Sequence, residues 1–590
     1  MCGIAGYSGK SRNLPSKKIM RDIKESLFNR GPDGYGDYFY KSYGLVHTRL
    51  SIIDVQNGKQ PIKDNFDNIL VANGEIYNDL DIREEFNQLV FSTGSDNESI
   101  LALYNVYGLD FVKHIRGMYS FALLDIKKEI LILSRDVFGI KPLYTLETED
   151  FFWFSSQPYS FIKAGLLKRE ENVESRNNLF AFQFIPNRET LLKNIKRVSP
   201  GETIVIKNGR IIETRVLEKI DKKIDKDFNP HSVNCSIEKF DNLWMETLDR
   251  HRRSEVPIGL FLSGGIDSTA ILSGMSRFSN NKLTTYTIGY DKRLDLDERD
   301  KAKRISDLFG VKHYSFEMNY KDFFSILPEV IFSMDDPVAD YAIIPTYVLA
   351  KKISNDTKVV LSGEGGDELG AGYGRYRSGQ RMWPFKKEPW SEHIYSNTSI
   401  FYNELNSWSS GVSIDNISHP NRIVLNRLQK MQFLDLEHWL VNDLLIKLDR
   451  CLMANGIEGR VPFLDKDIAS FLFHLPDNLK IQGRRGKWII RLWLNKFFPK
   501  TQPFDKKSGF SVPIGDWMNQ SGSILPNLVA DQVGVKSFCK RETVLKIFNN
   551  IDKKNIQRAW ILLFYSIWHQ CHIIGVSYKG NIFEVLSENS

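Results

Sequence analysis

The sequence predicts two joined architectures: a β-rich α+β sandwich in the N-terminal part, then an α/β domain built on a parallel sheet. Three observations lead there. The chain has 590 residues, more than one hydrophobic core of about 100–200 residues accommodates. Strand-length apolar runs separated by turns crowd the first part, whereas from about Val233 helical periodicity alternates with short buried apolar runs. Between the two lies Asp221 to Asp227, rich in Lys and Asp and almost free of core residues, which reads as a linker. The expected boundaries are residues 2–215 and 233–580.

In the first part the expected strands include Met118 to Asp125, Ile130 to Arg135 and Phe151 to Ser155, connected through Ile126-Lys127-Lys128 and Glu147 to Asp150. A last hairpin is signalled by Asn208-Gly209 between Thr203–Ile206 and Ile211-Ile212, because that dipeptide tolerates the positive φ angles of a type I′ turn. In the second part Pro257–Leu262, Leu283–Ile288 and Lys358–Leu361 are apolar runs, each followed by a turn and a helix. That alternation predicts a parallel sheet with helices on both faces. Residues 377–430, rich in Trp, Ser and Asn, show no period and receive no element.

Composition removes several function classes. Hydrophobic residues at 42% and charged residues at 26% are ordinary for soluble protein, and no run reaches the roughly 18 apolar residues of a membrane span. The N-terminus lacks the basic and apolar regions of a signal peptide, so the cytoplasm is expected. Cys2, Cys235, Cys451, Cys539 and Cys571 are scattered with no metal-ligand spacing, so neither disulfides nor structural zinc are expected. A net charge of +7 without a basic block argues against nucleic acid and is compatible with small anionic substrates.

Cys2 follows the initiator methionine. With Met1 removed, its α-amine, of pKa about 8, can serve as base for its own thiol, so nucleophile and base share one residue. Around it stand Cys2-Gly3-Ile4-Ala5-Gly6, Arg30-Gly31-Pro32-Asp33, His47-Thr48-Arg49-Leu50-Ser51-Ile52, Asn73-Gly74-Glu75-Ile76-Tyr77-Asn78, Ser95-Asp96-Asn97-Glu98 and Arg135-Asp136. In this order the motifs resemble the class II glutamine amidotransferases, and within them the asparagine synthetases. The resemblance implies an N-terminal nucleophile (Ntn) hydrolase sandwich. It also implies Arg49 on the α-carboxylate of glutamine, Glu75 and Asp96 on its α-amino group, and Asn73 and Gly74 as the oxyanion hole. The chemistry of those residue types agrees: an Asn side chain and an unobstructed Gly N–H are suited to a developing oxyanion, and arginine offers a planar fork to a carboxylate. Gln157 departs from the family, where glutamate is usual.

The strand Pro257–Leu262 runs into Ser263-Gly264-Gly265-Ile266-Asp267-Ser268, a glycine turn at a helix start, which suits phosphate. Without a Lys-Ser/Thr ending it is not the P-loop of kinases. It resembles the pyrophosphate-binding loop of enzymes that split ATP into AMP and pyrophosphate, and so implies an ATP pyrophosphatase domain. A second glycine-rich stretch, Leu361-Ser362-Gly363-Glu364-Gly365-Gly366-Asp367-Glu368, carries carboxylates. The resemblance assigns Asp267 and Asp367 to Mg²⁺, Glu364 to deprotonation of attacking ammonia, and Leu262, Ile288, Ser362 and Gly363 to adenosine. Carboxylates beside a polyphosphate require an intervening cation on charge grounds alone. Asp449-Arg450, Glu458-Gly459-Arg460-Val461-Pro462-Phe463-Leu464-Asp465 and Lys506-Lys507-Ser508-Gly509-Phe510 continue the resemblance to about residue 518, with Lys507 as the lysine on phosphate and Gly459 in place of an aliphatic residue.

The implied activity is ATP-dependent synthesis of asparagine from aspartate and glutamine, with ammonia crossing between two sites by an internal passage the sequence does not locate. The substrates are small molecules, and a homodimer is left open. Other readings remain at this stage. No motif reads aspartate, and Met334–Asp340 has Asp336 where the family has glutamate, so the acceptor could be another carboxylate such as a sugar acid or a biosynthetic intermediate. A relative that cyclises its own substrate, or a noncatalytic binding protein on this scaffold, would be expected to have lost residues such as Cys2, Arg49, Asn73 or Asp96, all of which are present.

Overall fold

The computed structural model describes residues 2–10, 14–220, 232–279, 283–291, 297–381, 394–395, 425–505, 512–551 and 553–588. The expected linker, Asp221 to Asp227, and the loop carrying Lys507 lie outside them. So does most of 377–430, which the helices Gly374–Gly379 and Arg427–Leu434 enter from either side.

The first part contains strands β1 (Gly3–Gly9), β2 (Gly34–Tyr40), β3 (Tyr43–Arg49), β4 (Ile62–Lys63), β5 (Asn68–Ile76), β6 (Gly117–Asp125), β7 (Ile130–Arg135), β8 (Tyr144–Glu147), β9 (Phe151–Ser155), β10 (Ile195–Arg197), β11 (Glu202–Lys207) and β12 (Arg210–Val216). They form two antiparallel sheets, ordered β10-β8-β9-β1-β3-β2 and β12-β11-β7-β6-β5-β4. The inner faces meet through Ile4, Leu45, Val71, Leu124, Leu133 and Phe154. Each outer face is covered by helix. Met20 and Ile23 of Lys17–Ser26 pack with Ala5 and Tyr7, and Ile100, Leu101 and Tyr104 of Glu98–Tyr107 pack with Leu70 and Ala72. This helix–sheet–sheet–helix stack is the expected α+β sandwich. Strand β1 is buried on both faces, which explains its small residues: a Cβ on Gly6 would stand 2.1 Å from the Gly44 carbonyl oxygen. The hairpin forms at Asn208-Gly209, with φ of 50° and 67°.

The second part is built on a parallel sheet of β13 (Ile258–Phe261), β14 (Thr284–Tyr290), β15 (Lys312–Met318), β16 (Val359–Leu361) and β17 (Glu458–Arg460), in the order β15-β14-β13-β16-β17. The chain winds outward from β13 in one direction and resumes at β16 in the other. The crevice beyond the ends of β13 and β16 is therefore the topological switch point, where α/β sheets bind ligands. Residues Leu445–Met453 form a helix, buried at every position, that runs into β17. Ion pairs cross between the two parts there and nearby, joining Arg30 to Asp449, Arg197 to Asp336 and Arg460 to Glu75.

Candidate active sites

The first site forms where β1 begins, β3 ends and β5 ends. Antiparallel pairing sets Gly3 opposite Thr48, and brings Asn73 and Gly74 opposite Ser120 and Tyr119. Cys2, only 8% exposed, donates its backbone N–H to Asn73 Oδ1 at 3.1 Å. That nitrogen becomes the α-amine once Met1 is removed, so Asn73 already orients the prospective base. Asn73 Nδ2 makes one long contact, 3.4 Å to Ser120 Oγ, and stays available to a stronger acceptor. Gly74 must be glycine, since a Cβ there would lie 2.2 Å from the Met118 carbonyl oxygen. Burial pushes the Cys2 thiol pKa up, while the Leu50 backbone and the Arg49 charge act to lower it.

Arg49 is anchored by the carbonyls of Asp54 at 2.6 Å and Val55 at 3.1 Å. Asp96 accepts the Ile76 N–H at 2.7 Å and an Asn97 side-chain N–H at 3.1 Å, and burial raises its pKa to about 6. Glu75 is paired with Arg460 of the second part at 3.1 Å, and burial pushes its carboxyl well above the usual range. The Arg30-Gly31-Pro32-Asp33 motif is explained by packing. Gly31 lies so close to β3 that a Cβ would meet the Thr48 carbonyl carbon at 2.3 Å, Asp33 accepts the Ser51 N–H at 2.8 Å, and Arg30 Nε donates to the Cys2 carbonyl at 3.3 Å. Arg135-Asp136 is a loop brace: Arg135 donates to the carbonyls of Gly139, Lys141 and Val198, and Asp136 accepts backbone N–H groups of Phe138, Ile140 and Lys141.

The second site is a cavity of about 370 Å³ at the switch point, within the range of small-molecule sites. Leu262, Ser263, Gly264, Gly265, Asp267, Ser268, Ile288, Ser362, Gly363, Glu364 and Asp367 all line it. Gly264 has φ of +66°, and Gly265 caps the helix Ile266–Met275 without a side-chain hydrogen bond, which leaves first-turn N–H groups for an anion. Ser263 and Ser268 hydroxyls lie 3.2 Å apart across this turn. The second loop closes on the first: a Cβ on Gly363 would be 2.8 Å from the Asp267 Cβ, and one on Gly366 would be 2.4 Å from Asp267 Oδ1. These glycines make room for Asp267 beside Asp367. Burial raises the Glu364 pKa, and of the neighbouring charges Lys447 opposes this most.

Lys487 has no counterpart among the residues predicted from sequence. Its ammonium bonds to Asp267 and, at 2.8 Å, to Asp367 Oδ1. Its backbone is left-handed, with φ of 57°, and its N–H donates to the Gly370 carbonyl. Gly486 just before it was the available signal, because a Cβ there would sit 2.2 Å from the Ala371 carbonyl oxygen. Among the described residues no cluster of three or more His, Cys, Asp or Glu could hold a metal. Two hard carboxylate oxygens that converge on one ammonium nevertheless form a donor set suited to Mg²⁺, whose remaining ligands are commonly water and phosphate.

A thiol presented at the end of one sheet, and a glycine-lined cavity at the switch point of another, define a two-site amidotransferase architecture. Residues 1–216 match the glutamine amidotransferase domain, and residues 239–570 match the asparagine synthase model. The chain belongs to the asparagine synthase family. It is 30% identical to asparagine synthetase [glutamine-hydrolyzing] 1 of Bacillus subtilis over 97% of both chains. A putative asparagine synthetase [glutamine-hydrolyzing] of Mycobacterium tuberculosis is 29% identical over 96% of this chain and 97% of its own. The Zea mays asparagine synthetase [glutamine-hydrolyzing] is 27% identical over 93% and 82%.

Proposed function

We propose that this chain makes asparagine from aspartate, taking nitrogen from glutamine and driving the reaction with ATP. The observation that carries the proposal is the cavity at the switch point, where the two glycine loops and Lys487 surround one space in a chain that also presents Cys2 against Asn73. At the first site the Cys2 thiol gives its proton to the α-amine and attacks the side-chain amide carbon of glutamine. Asn73 Nδ2 and the Gly74 N–H hold the oxyanion, Arg49 holds the α-carboxylate, and Asp96 with Glu75 holds the α-ammonium. The α-ammonium returns that proton to the amide nitrogen, ammonia leaves, and water hydrolyses the thioester to glutamate.

At the second site the Ser263–Ser268 turn binds the phosphates, and Leu262, Ile288, Ser362 and Gly363 hold the adenosine. The side-chain carboxylate of aspartate attacks the α-phosphorus, pyrophosphate leaves, and Lys507 steadies the charge on it. Asp267 and Asp367 would hold Mg²⁺, which when bound neutralises the phosphate oxygens. Ammonia that has passed internally from the first site attacks the acyl carbon of the adenylate, Glu364 accepts its proton, and AMP departs with asparagine as product. Residues 2–215 carry the first reaction and 233–580 the second. Among the described residues no helix is long and apolar enough to cross a membrane, and we place the activity in the cytoplasm.

The test is release of AMP and pyrophosphate with ATP, Mg²⁺ and glutamine, with and without aspartate. Aspartate-dependent AMP accompanied by asparagine is the expected result. Cys2-dependent glutamate release with no stimulation by aspartate would overturn the acceptor.

A further inference from the structure

Lys447 lines the same cavity as Glu364 but belongs to neither phosphate loop. It projects from the helix Leu445–Met453, and its ammonium bonds to Asp340 Oδ2 at 2.8 Å, with 8% of the lysine and 14% of the aspartate side chain exposed. The other oxygen of Asp340 accepts the Ala342 N–H at 3.0 Å, and Ala342 also lines the cavity. Lys447 therefore stands at the wall with Asp340 as its partner, beside the group proposed to deprotonate ammonia. Burial acts to depress the lysine, but Asp340, Glu364 and Asp443 outweigh it and keep the ammonium charged. Asp443 is otherwise engaged, accepting from Gln183 Nε2 at 2.9 Å.

We propose that the Asp340–Lys447 ion pair recognises the acceptor by exchange of partners, Asp340 taking the α-ammonium and Lys447 the α-carboxylate of an amino acid. This rests on the proposed function and deepens it, since it confines the acceptor to α-amino acids whose second carboxylate can reach the phosphate loops. A zwitterion that enters the pair replaces a charge-assisted contact with two of the same kind, so opening the pair is compensated. A carboxylate without an ammonium takes Lys447 and leaves Asp340 desolvated and unpaired, which a site this enclosed penalises. Sugar acids and simple dicarboxylates are rejected on that ground.

The experiment uses the full chain with ATP, Mg²⁺ and ammonium chloride in place of glutamine, so the first site drops out. AMP formation is followed with aspartate, N-acetylaspartate and succinate. Aspartate is expected to exceed the other two by about 100-fold or more in kcat/KM. Lys447→Met, which keeps length and loses charge, is expected to raise KM for aspartate about tenfold or more while KM for ATP moves less than about threefold. Lys447→Arg should restore part of the loss. Asp340→Asn should raise KM for aspartate and narrow the gap between aspartate and succinate. If either single variant fails to fold by its melting temperature, the other and the acceptor comparison carry the same decision.

Folded variants with wild-type KM for aspartate overturn the inference. So does a KM for ATP that rises in step, which would place the pair in the nucleotide site. If aspartate elicits AMP and the variants behave as wild type, only this inference falls. If no carboxylate elicits AMP from the wild type, the proposed function falls and takes it along.

Discussion

Replacing Asn73 with alanine removes two separate functions of one side chain. Its Nδ2, held only by a 3.4 Å contact to Ser120, is the donor proposed for the oxyanion, and its Oδ1 accepts the Cys2 nitrogen at 3.1 Å. Loss of an oxyanion donor costs about 2.7–4 kcal/mol in the transition state. Loss of the bond that orients the amine adds about 0.5–1.5 kcal/mol. Together they amount to about 3–5.5 kcal/mol, a fall of about 10² to 10⁴ in glutamate release. The assay measures glutamate from glutamine and, on the same preparation, AMP formation driven by ammonium ion and aspartate. The second rate serves as reference, since Asn73 lies in the sandwich and not at the switch-point cavity, and it should stay within about twofold. Glutamate release within tenfold of wild type would refute the assignment of Asn73, and a parallel collapse of both rates would show that the variant had damaged the fold.

Burial places the Asp96 pKa at about 6, so its carboxylate is protonated below that pH and loses its attraction for the α-ammonium it is proposed to hold. kcat/KM for glutamine should fall as pH drops through that value, and Asp96→Asn should be weaker above it with a flattened profile. Arg30→Met leaves the buried Asp449 with Arg450 at 3.2 Å as remaining partner. It should lower the melting temperature, and Arg30→Met combined with Asp449→Leu should recover part of the loss, because a buried carboxylate that loses its bidentate partner is under-compensated, at a cost below the about 3–5 kcal/mol of a fully unpaired charge. Lys487→Met removes the ammonium between Asp267 and Asp367. AMP formation should be lost, and added Mg²⁺ should raise the variant's melting temperature more than the wild type's; equal shifts would argue against a shared cation position.

What could be read from sequence is what the backbone dictates locally. Strands β6, β7 and β9 appear as apolar runs, and β11 and β12 are tied by a dipeptide whose φ angles admit one kind of turn. The cavity was legible for the same reason: Gly264, Gly363 and Gly366 stand where a Cβ would collide, so the chemistry is written as glycines at fixed spacing. Lys487 and Lys447 were not legible, because a lysine paired in the interior resembles a solvated lysine until its carboxylates are placed beside it. The carboxylate partner of Arg30, Asp449, lies 419 residues away, and no local pattern foretells it. Arg135-Asp136 shows the opposite error to avoid: it stands in the motif series as prominently as Arg49, yet its bonds hold a loop. Gly459, a departure from the family, has a packing reason, since a Cβ there would lie 2.8 Å from Leu452 Cδ1 and 3.3 Å from Leu448.

The helix Leu445–Met453 shows why the two parts need so many buried charges. At about 100° per residue, Lys447 and Asp449 point to nearly opposite sides, one to the switch-point cavity and the other to Arg30 beneath Cys2. Arg450 turns toward Asp335, which also accepts the Tyr159 N–H of the sandwich at 2.9 Å. Apolar side chains of similar volume would bury as well and would desolvate more cheaply, but they would tolerate sliding. Each ion pair is satisfied at one position only, and a misplaced pair leaves a bare charge in the interior. Bidentate contact from Arg30 to both oxygens of Asp449, at 2.7 and 3.0 Å, is the most restrictive of them. The charges thus fix one orientation of the sandwich on the parallel sheet, and with it the position of Cys2 relative to Glu364, as the proposed transfer of ammonia from one to the other requires.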